Sequence, residues 1–348
     1  MNKLSLLRSV LAVSLLLTIA LFLLPLLLVS PIDTGAPTYT PSAPAPLAST
    51  LPPSDIIIPP APVETTPLDP QVTLQVLQAG EVTDMTLDHY LQGVLRAEMP
   101  ASFALEALKA QAVAARTYTL YKLEAGSHGQ NADICTNPGC CQAWLAEDIA
   151  RQNWGTEADA YEAKIRSAVS DTDGQAMYYG GAPILAAFHS SSSGLTRPAG
   201  QVWQSDLPYL QAATSPERGD TIPNYHSRVE FSADSFRSAV LAAYPEADLS
   251  GGMSSWLKNA VTDSAGNVDT LQVGGVTMRG TRLRSILGLR SACFDWAVEN
   301  NRLVFYVTGY GHGVGMSQYG ANAMANEGAT WQEILTHYYT GISIHSFQ

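Results

Sequence analysis

The chain has 348 residues, with 31 acidic against 19 basic side chains and a formal net charge of −12. No basic patch stands out, which argues against nucleic acid as a ligand. The length leaves room for a short membrane-proximal region and one domain large enough to bury a sizeable core.

Lys3 and Arg8 precede an uncharged run from Ser9 to Pro31, rich in Leu, Val, Ala and Ile. That run is long enough to cross a hydrocarbon layer of roughly 30 Å as one helix, and longer than a cleaved signal sequence requires. The reading is a cytoplasmic tail at 1–8 and a retained signal anchor at 9–30, with the rest of the chain extracytoplasmic because the positive residues come first. Residues 31–70 hold more than half of the chain's 21 prolines and read as a semi-rigid, extended linker. Residues 71–348 read as the catalytic domain. The fold class is α+β: one large mixed helix and strand domain, or a core with two lobes.

In the domain, Val72 to Val76 alternates apolar and polar residues as a strand does. Tyr90, Leu91, Val94 and Leu95 then recur on one face of a helix, and Glu98 continues that apolar stripe. Pro100 disfavours helix at Met99, which puts Glu98 in the last turn, at the negative end of the helix dipole. Both the apolar setting and the dipole penalise an ionised carboxylate. A carboxylic acid kept protonated near neutral pH is what a general acid needs. A second helix is expected from Ser102 as its N-cap, with Leu105, Leu108, Ala112, Ala115 and Thr119 facing inward. Arg116 lies beside that stripe, read either as an ion-paired arginine or as a guanidinium that binds substrate near the Glu98 cleft.

The segment from His128 to Trp144 holds three of the four cysteines, Cys135, Cys140 and Cys141. Zinc favours imidazole and thiolate, so His128, Cys135 and Cys141 are one candidate metal set. A disulfide from Cys135 or Cys293 to Cys140 or Cys141 is the second reading, and free cysteines in a small core the third.

Ala158–Ser170 reads as a helix, followed by strands 176–179 and 183–188 joined at Gly180-Gly181. That hairpin delivers His189 and Ser190. Neighbours on a strand point to opposite faces and no G-x-S-x-G elbow is present, so a substrate-binding loop is favoured over a serine nucleophile. From Gly309 to Gly315, glycines alternate with Tyr310, His312 and Val314 and allow backbone to approach a ligand closely. Ser317 is expected to cap a helix through Ala325, and Thr330 with Glu333 forms a capping box.

Taken together, these segments resemble the stage II sporulation protein D family. The matching pieces are Arg96-Ala97-Glu98-Met99-Pro100, the run Leu108–Tyr118, Asp133-Ile134-Cys135, Cys141-Gln142-Ala143-Trp144, Phe188-His189-Ser190, Val202-Trp203, Pro208-Tyr209-Leu210, and Gly311 through Gly320-Ala321. The resemblance implies a lytic transglycosylase acting on peptidoglycan during sporulation engulfment, on glycan stripped of stem peptides. It implies as partners an amidase, stage II sporulation protein P, and a membrane scaffold, stage II sporulation protein M. It maps the catalytic acid onto Glu98 and a zinc ion onto His128, Cys135 and Cys141; Cys140 is extra. Arg116, His189, Ser190, Tyr310, His312 and Gln318 are the candidate substrate-binding residues.

A glycoside hydrolase uses two carboxyl groups flanking the bond. No second acid is evident opposite Glu98, which suits lytic transglycosylation, a one-acid reaction. The alternative is a non-catalytic amidase enhancer or glycan-binding module. A zinc hydrolase built on His128 is disfavoured, because no H-E-x-x-H helix motif occurs.

Overall fold

The computed structural model describes residues 66–347, except 127, 129, 130 and 204. The expected tail, the anchor and most of the linker lie outside the described residues. Among the described residues no helix is long and apolar enough to cross a membrane.

The chain builds two hydrophobic cores. The first gathers around helix α2 (Leu105–Ala125), which is buried on nearly every side from Ala110 to Thr117. Its run of alanines lets neighbouring elements approach closely. Helix α1 (Leu87–Glu98), α4 (Ala158–Ser170), α8 (Gln318–Asn326) and α9 (Trp331–Tyr338) pack against it. Between these elements lie α3 (Glu147–Trp154) and the short turn α5 (Ala199–Val202). Ser102 does not cap α2: the N-cap is Ala104, with no side-chain cap, and its N–H donates to Asn322 Oδ1 at 2.8 Å. Ser317 caps α8 and Thr330 with Glu333 boxes α9, as the sequence predicts.

Three small sheets flank this core. Strands β1 (Thr73–Gln78) and β2 (Glu81–Thr86) form a hairpin, with β3 (Ile134–Cys135) parallel to β1. The polar stretch before α1 is therefore strand β2, whose residues are mostly exposed and show no apolar alternation. The predicted hairpin is shorter than expected. Strand β4 (Gln175–Tyr179) pairs with β5 (Ala182–Pro183) and with the C-terminal β14 (Ser343–Ser346). The chain then leaves β4 after the bond from Ile184 N to Met177 O, and only β6 (Phe188–His189) is strand again. β6 pairs in parallel with β13 (Met316–Ser317), setting Ser317 opposite His189.

The second core is a lobe spanning His226 to Thr308. Strands β7 (His226–Phe231), β11 (Phe294–Glu299) and β12 (Arg302–Thr308) form one sheet, in the order β11-β12-β7. Strands β8 (Leu257–Thr262), β9 (Val268–Val273) and β10 (Val276–Arg279) form another. Helices α6 (Ala233–Ala243) and α7 (Gly280–Leu287) pack on them. Phe236 stacks on Trp256 at 5.5 Å between ring centres and sits against Phe305. The lobe leaves and rejoins the core at adjacent points, since Gly309 N donates to Tyr225 O at 2.9 Å.

Arg116 is fully buried within α2 and is an ion-pair residue, not a cleft residue. Its Nε donates to Asp69 Oδ1 at 2.8 Å, and its other nitrogens reach Gln175 O at 3.1 Å and Val169 O at 3.3 Å. Asp69, also fully buried, falls in what the sequence reads as linker. Leu68 N and Asp69 N donate to the Asp173 carboxylate at 2.7 and 2.9 Å, so ordered packing starts before the expected boundary at 71. Removing one partner of a buried pair strands the other charge, at a cost of about 3–5 kcal/mol. Arg116→Met should therefore lose that much stability in urea unfolding followed by tryptophan fluorescence, and Arg116→Met combined with Asp69→Leu should recover much of it.

Candidate functional site

A cleft of about 580 Å³ opens where α1 ends. Glu98 is the last residue of α1, and Met99 turns extended at φ −126° and ψ 135°, as the following proline requires. The stripe residues Tyr90, Leu91, Val94 and Leu95 are all buried, so the helix points Glu98 into the cleft from a fixed base. One Glu98 oxygen accepts a hydrogen bond from Ala143 N at 2.7 Å. Burial holds the Glu98 carboxyl above its ordinary pKa, opposed by that one bond. The two arginines nearest in sequence do not counter this. Arg96 is held by Glu162 at 2.6 Å and Arg116 by Asp69. Glu98 is the sole carboxylate among the residues lining the cleft.

The facing walls come from three places. His189 and Ser190 stand at the end of β6, Tyr310 and His312 on the glycine-rich turn after β12, and Gln318 at the start of α8. His189 and Ser190 both line the cleft, because the strand ends at His189 and the alternation of faces ends with it. The alternating glycines have a steric reason. A Cβ on Gly311 would lie 2.6 Å from the His189 Cβ, and one on Gly315 would lie 2.0 Å from Ala187 O. Both have positive φ, where glycine alone is unstrained. Gln318 Nε2 donates to Gln111 Oε1 at 3.3 Å.

Both imidazoles are neutral. Burial pushes His189 down to about 4, and burial with the neighbouring imidazole and Arg284 pushes His312 down to about 3. Val314 N donates to His312 Nδ1 at 3.0 Å, which places the His312 proton on Nε2. His189 Nδ1 faces Val314 O at 3.2 Å and therefore carries its proton, leaving Nε2 as a buried acceptor with no partner. Such an atom suits a ligand hydroxyl. Trp203 lies 5.3 Å from the His312 ring and, with Tyr118, completes an aromatic lining that sequence reasoning did not single out.

The remaining wall is the cysteine loop, Pro138 to Gln142. His128, Cys135, Cys140 and Cys141 converge, with their ligand atoms all within 4.8 Å of one another. Zinc–sulfur bonds of about 2.3 Å place tetrahedral ligands roughly 3.8 Å apart, so this donor set fits zinc. Cys140, absent from the predicted set, is a member: its sulfur lies 2.8 Å from His128 Nε2. Burial and the Cys135 thiol push Cys141 up to about 12 where no cation compensates. None of the four cysteines is disulfide-bonded. Cys293 lies in the lobe, with its thiol donating to Ala265 O, so it does not pair with the loop. Beyond the loop, Trp144 packs into α1 at Gly93, where a Cβ would meet the indole at 1.9 Å. That contact and the bond from Leu145 N to Gly93 O at 3.0 Å fix Ala143 against Glu98.

The family model described as Stage II sporulation protein (SpoIID) matches residues 77–179. Over 266 residues the chain is 36% identical to stage II sporulation protein D of Bacillus subtilis (strain 168), covering 76% of this chain and 75% of that one. It is 34% identical over 265 residues to the protein of the same name from Bacillus amyloliquefaciens, again 76% and 75% of the two chains. It is also 28% identical over 304 residues to the amidase enhancer of Bacillus subtilis (strain 168), covering 74% of this chain and 40% of that protein. This chain belongs to the stage II sporulation protein D family.

The raised Glu98 pKa has a measurable sign. Below the unfolded-state value, about 4.3, both states hold the proton and nothing is lost. As pH rises past that value the unfolded chain ionises first, so the folded state loses relative stability up to its own higher pKa. Glu98→Gln escapes that loss. Its melting temperature relative to the wild type should rise between pH 4 and pH 7 in parallel thermal scans.

Proposed function

We propose that this protein is a membrane-anchored lytic transglycosylase of the sporulating cell wall. It cleaves denuded peptidoglycan glycan between N-acetylmuramic acid and N-acetylglucosamine during engulfment. The observation that carries the reading is the single acid, Glu98, its pKa raised by burial, in a cleft lined by neutral polar and aromatic side chains. A two-carboxylate hydrolysis has no second acid to use among the residues lining that cleft.

Glu98 gives its proton to the glycosidic oxygen, and the bond from that oxygen to C1 of the muramic acid breaks. The electron-poor C1 is captured by the same sugar's 6-hydroxyl, whose proton returns to the Glu98 carboxylate. The product is a 1,6-anhydro end, and no water is consumed. The N–H of Ala143 stabilises the carboxylate during its brief ionised life. His189 Nε2 accepts a sugar hydroxyl, Trp203 and Tyr310 offer ring faces, and Ser190, His312 and Gln318 supply further polar contacts. Arg116, held in the core, is not part of this set.

Zinc, held by His128, Cys135, Cys140 and Cys141, would act as a cross-link in the cleft wall and supply no catalysis, because four protein donors leave no open position. Purified protein should carry one zinc per chain by metal analysis. Cys135→Ser and Cys141→Ser should lose it, together with several degrees of melting temperature. The reading also places the domain outside the cell membrane on its N-terminal anchor. There it acts with the amidase stage II sporulation protein P and the scaffold stage II sporulation protein M.

The relative named amidase enhancer favours a second reading, a module that stimulates an amidase without cleaving glycan. Mass spectrometry of peptidoglycan treated with the protein, with and without prior amidase digestion, separates the two. The proposal expects 1,6-anhydro ends that fall at least 100-fold in Glu98→Gln, the usual scale for a general acid. Intact glycan from well-folded, zinc-loaded wild type would favour the enhancer.

A further inference from the structure

The chain as a whole is acidic, yet Arg279 to Arg290 holds four arginines and no acid. The other nine arginines among the described residues, from Arg96 to Arg302, each pair with a carboxylate. Among the described residues Arg279, Arg282, Arg284 and Arg290 pair with none. In a chain where acids outnumber bases 31 to 19, four unpaired guanidinium groups on one segment are an exception with a chemical meaning.

One of the four packs on a residue that lines the cleft, Tyr310, and a second lies within electrostatic reach of two more, His189 and His312. The Arg290 guanidinium lies over the Tyr310 ring at 3.9 Å, and its Nε is buried without a partner. Its carbonyl accepts from Gly311 N at 2.9 Å, which ties it to the turn carrying Tyr310 and His312. Arg284, in the last turn of α7, uses Nε to bond Leu289 O at 3.2 Å, and its terminal nitrogens hold no hydrogen bond among the described residues. After burial, its charge adds to the lowering of the His189 and His312 pKa values, two side chains of the cleft wall. The other two arginines are engaged elsewhere. Arg282 lies over Tyr244 at 5.6 Å, and Arg279 reaches Gln201 O at 3.3 Å.

A planar guanidinium fork matches a carboxylate, and partial burial strengthens the match. A glycan of alternating N-acetylated sugars offers one such group, the lactyl carboxylate on C3 of each muramic acid, free wherever the stem peptide is gone. Where the peptide remains, that carboxyl is a neutral amide. We propose that Arg284 and Arg290 form an anion subsite at the Tyr310–His312 rim of the cleft, taking the free lactyl carboxylate of a muramic acid residue. This rests on the glycan reading above, and makes these two arginines the residues that distinguish stripped from peptide-bearing strands.

The test uses the full chain and two strand preparations made from amidase-stripped glycan. One keeps its lactyl carboxylates; in the other they are coupled to methylamine, removing the charge at nearly the same size. Binding is measured in a Glu98→Gln background and cleavage in the wild type. The expected result is at least ten-fold tighter binding of the carboxylate strands, weakening as salt is raised. Arg284→Gln and Arg290→Gln should bring that ratio towards one, and Arg282→Gln should leave it in place. Equal binding of both strands by Glu98→Gln overturns the subsite without recourse to any arginine variant, as does a preference that survives in both folded variants. A protein that prefers carboxylate strands through these arginines but cleaves nothing keeps the subsite and removes the transglycosylase. A protein that cleaves both strands equally keeps the transglycosylase and removes the subsite.

Discussion

A charged side chain at the centre of the main core is the constraint around which the rest is arranged. Helix α2 is buried nearly all round, and Arg116 lies within it with no access to solvent. Asp69 supplies the carboxylate that lets a guanidinium sit there, and Asp69 is in turn held by the turn that follows α4, through Asp173 and Gly174. That one pair therefore ties the start of the folded chain, the central helix and the entry to β4 to a single point. The walls of the cleft hang on elements that α2 organises: α1 on one side, and α8 with its capping serine on another.

The cleft shows the opposite electrostatic strategy. The arginines nearest Glu98 in sequence are held by acids of their own, Arg96 by Glu162 and Arg116 by Asp69. The two imidazoles are kept neutral by burial. What remains beside the acid is one backbone N–H and a set of dipoles. Burial with no carboxylate-bound cation raises the Glu98 pKa, which is the direction a proton donor requires. The fixed contact of Trp144 with Gly93 matters for the same reason, since it sets the distance of the one donor that opposes the effect.

Much of this was legible in the sequence where signals are local. The 3.6-residue stripe and Pro100 placed Glu98 correctly, and the serine and threonine caps of α8 and α9 were read from three or four residues. His189, Ser190, Tyr310, His312 and Gln318 were grouped by resemblance, and the parallel pairing of β6 with β13 brings them to one cleft. Of the two readings of Arg116 the ion pair holds, and its partner was hidden because it lies 47 residues earlier, in a proline-rich segment with no sign of burial. Three of the four converging cysteine-loop ligands are those the resemblance maps; Cys140 is extra to that pattern, and its sulfur nonetheless faces His128. The lobe left little trace, since strands such as β7 and β8 are exposed over much of their length. The basic run at Arg279–Arg290 vanished in a strongly negative total.

The junction between core and lobe has a consequence for how such a protein can change. Tyr225 and Gly309, more than eighty positions apart in sequence, meet through one backbone hydrogen bond, and β7 and β12 run side by side from that point. The core thus sees an insertion of this length as though it were a tight turn. Residues outward of the junction can be lengthened, pruned or exchanged over evolutionary time while Tyr310 keeps its place, because chain ends that lie close together tolerate such grafting. Variation in the lobe is then a means of retuning what the cleft accepts without disturbing the acid at its base.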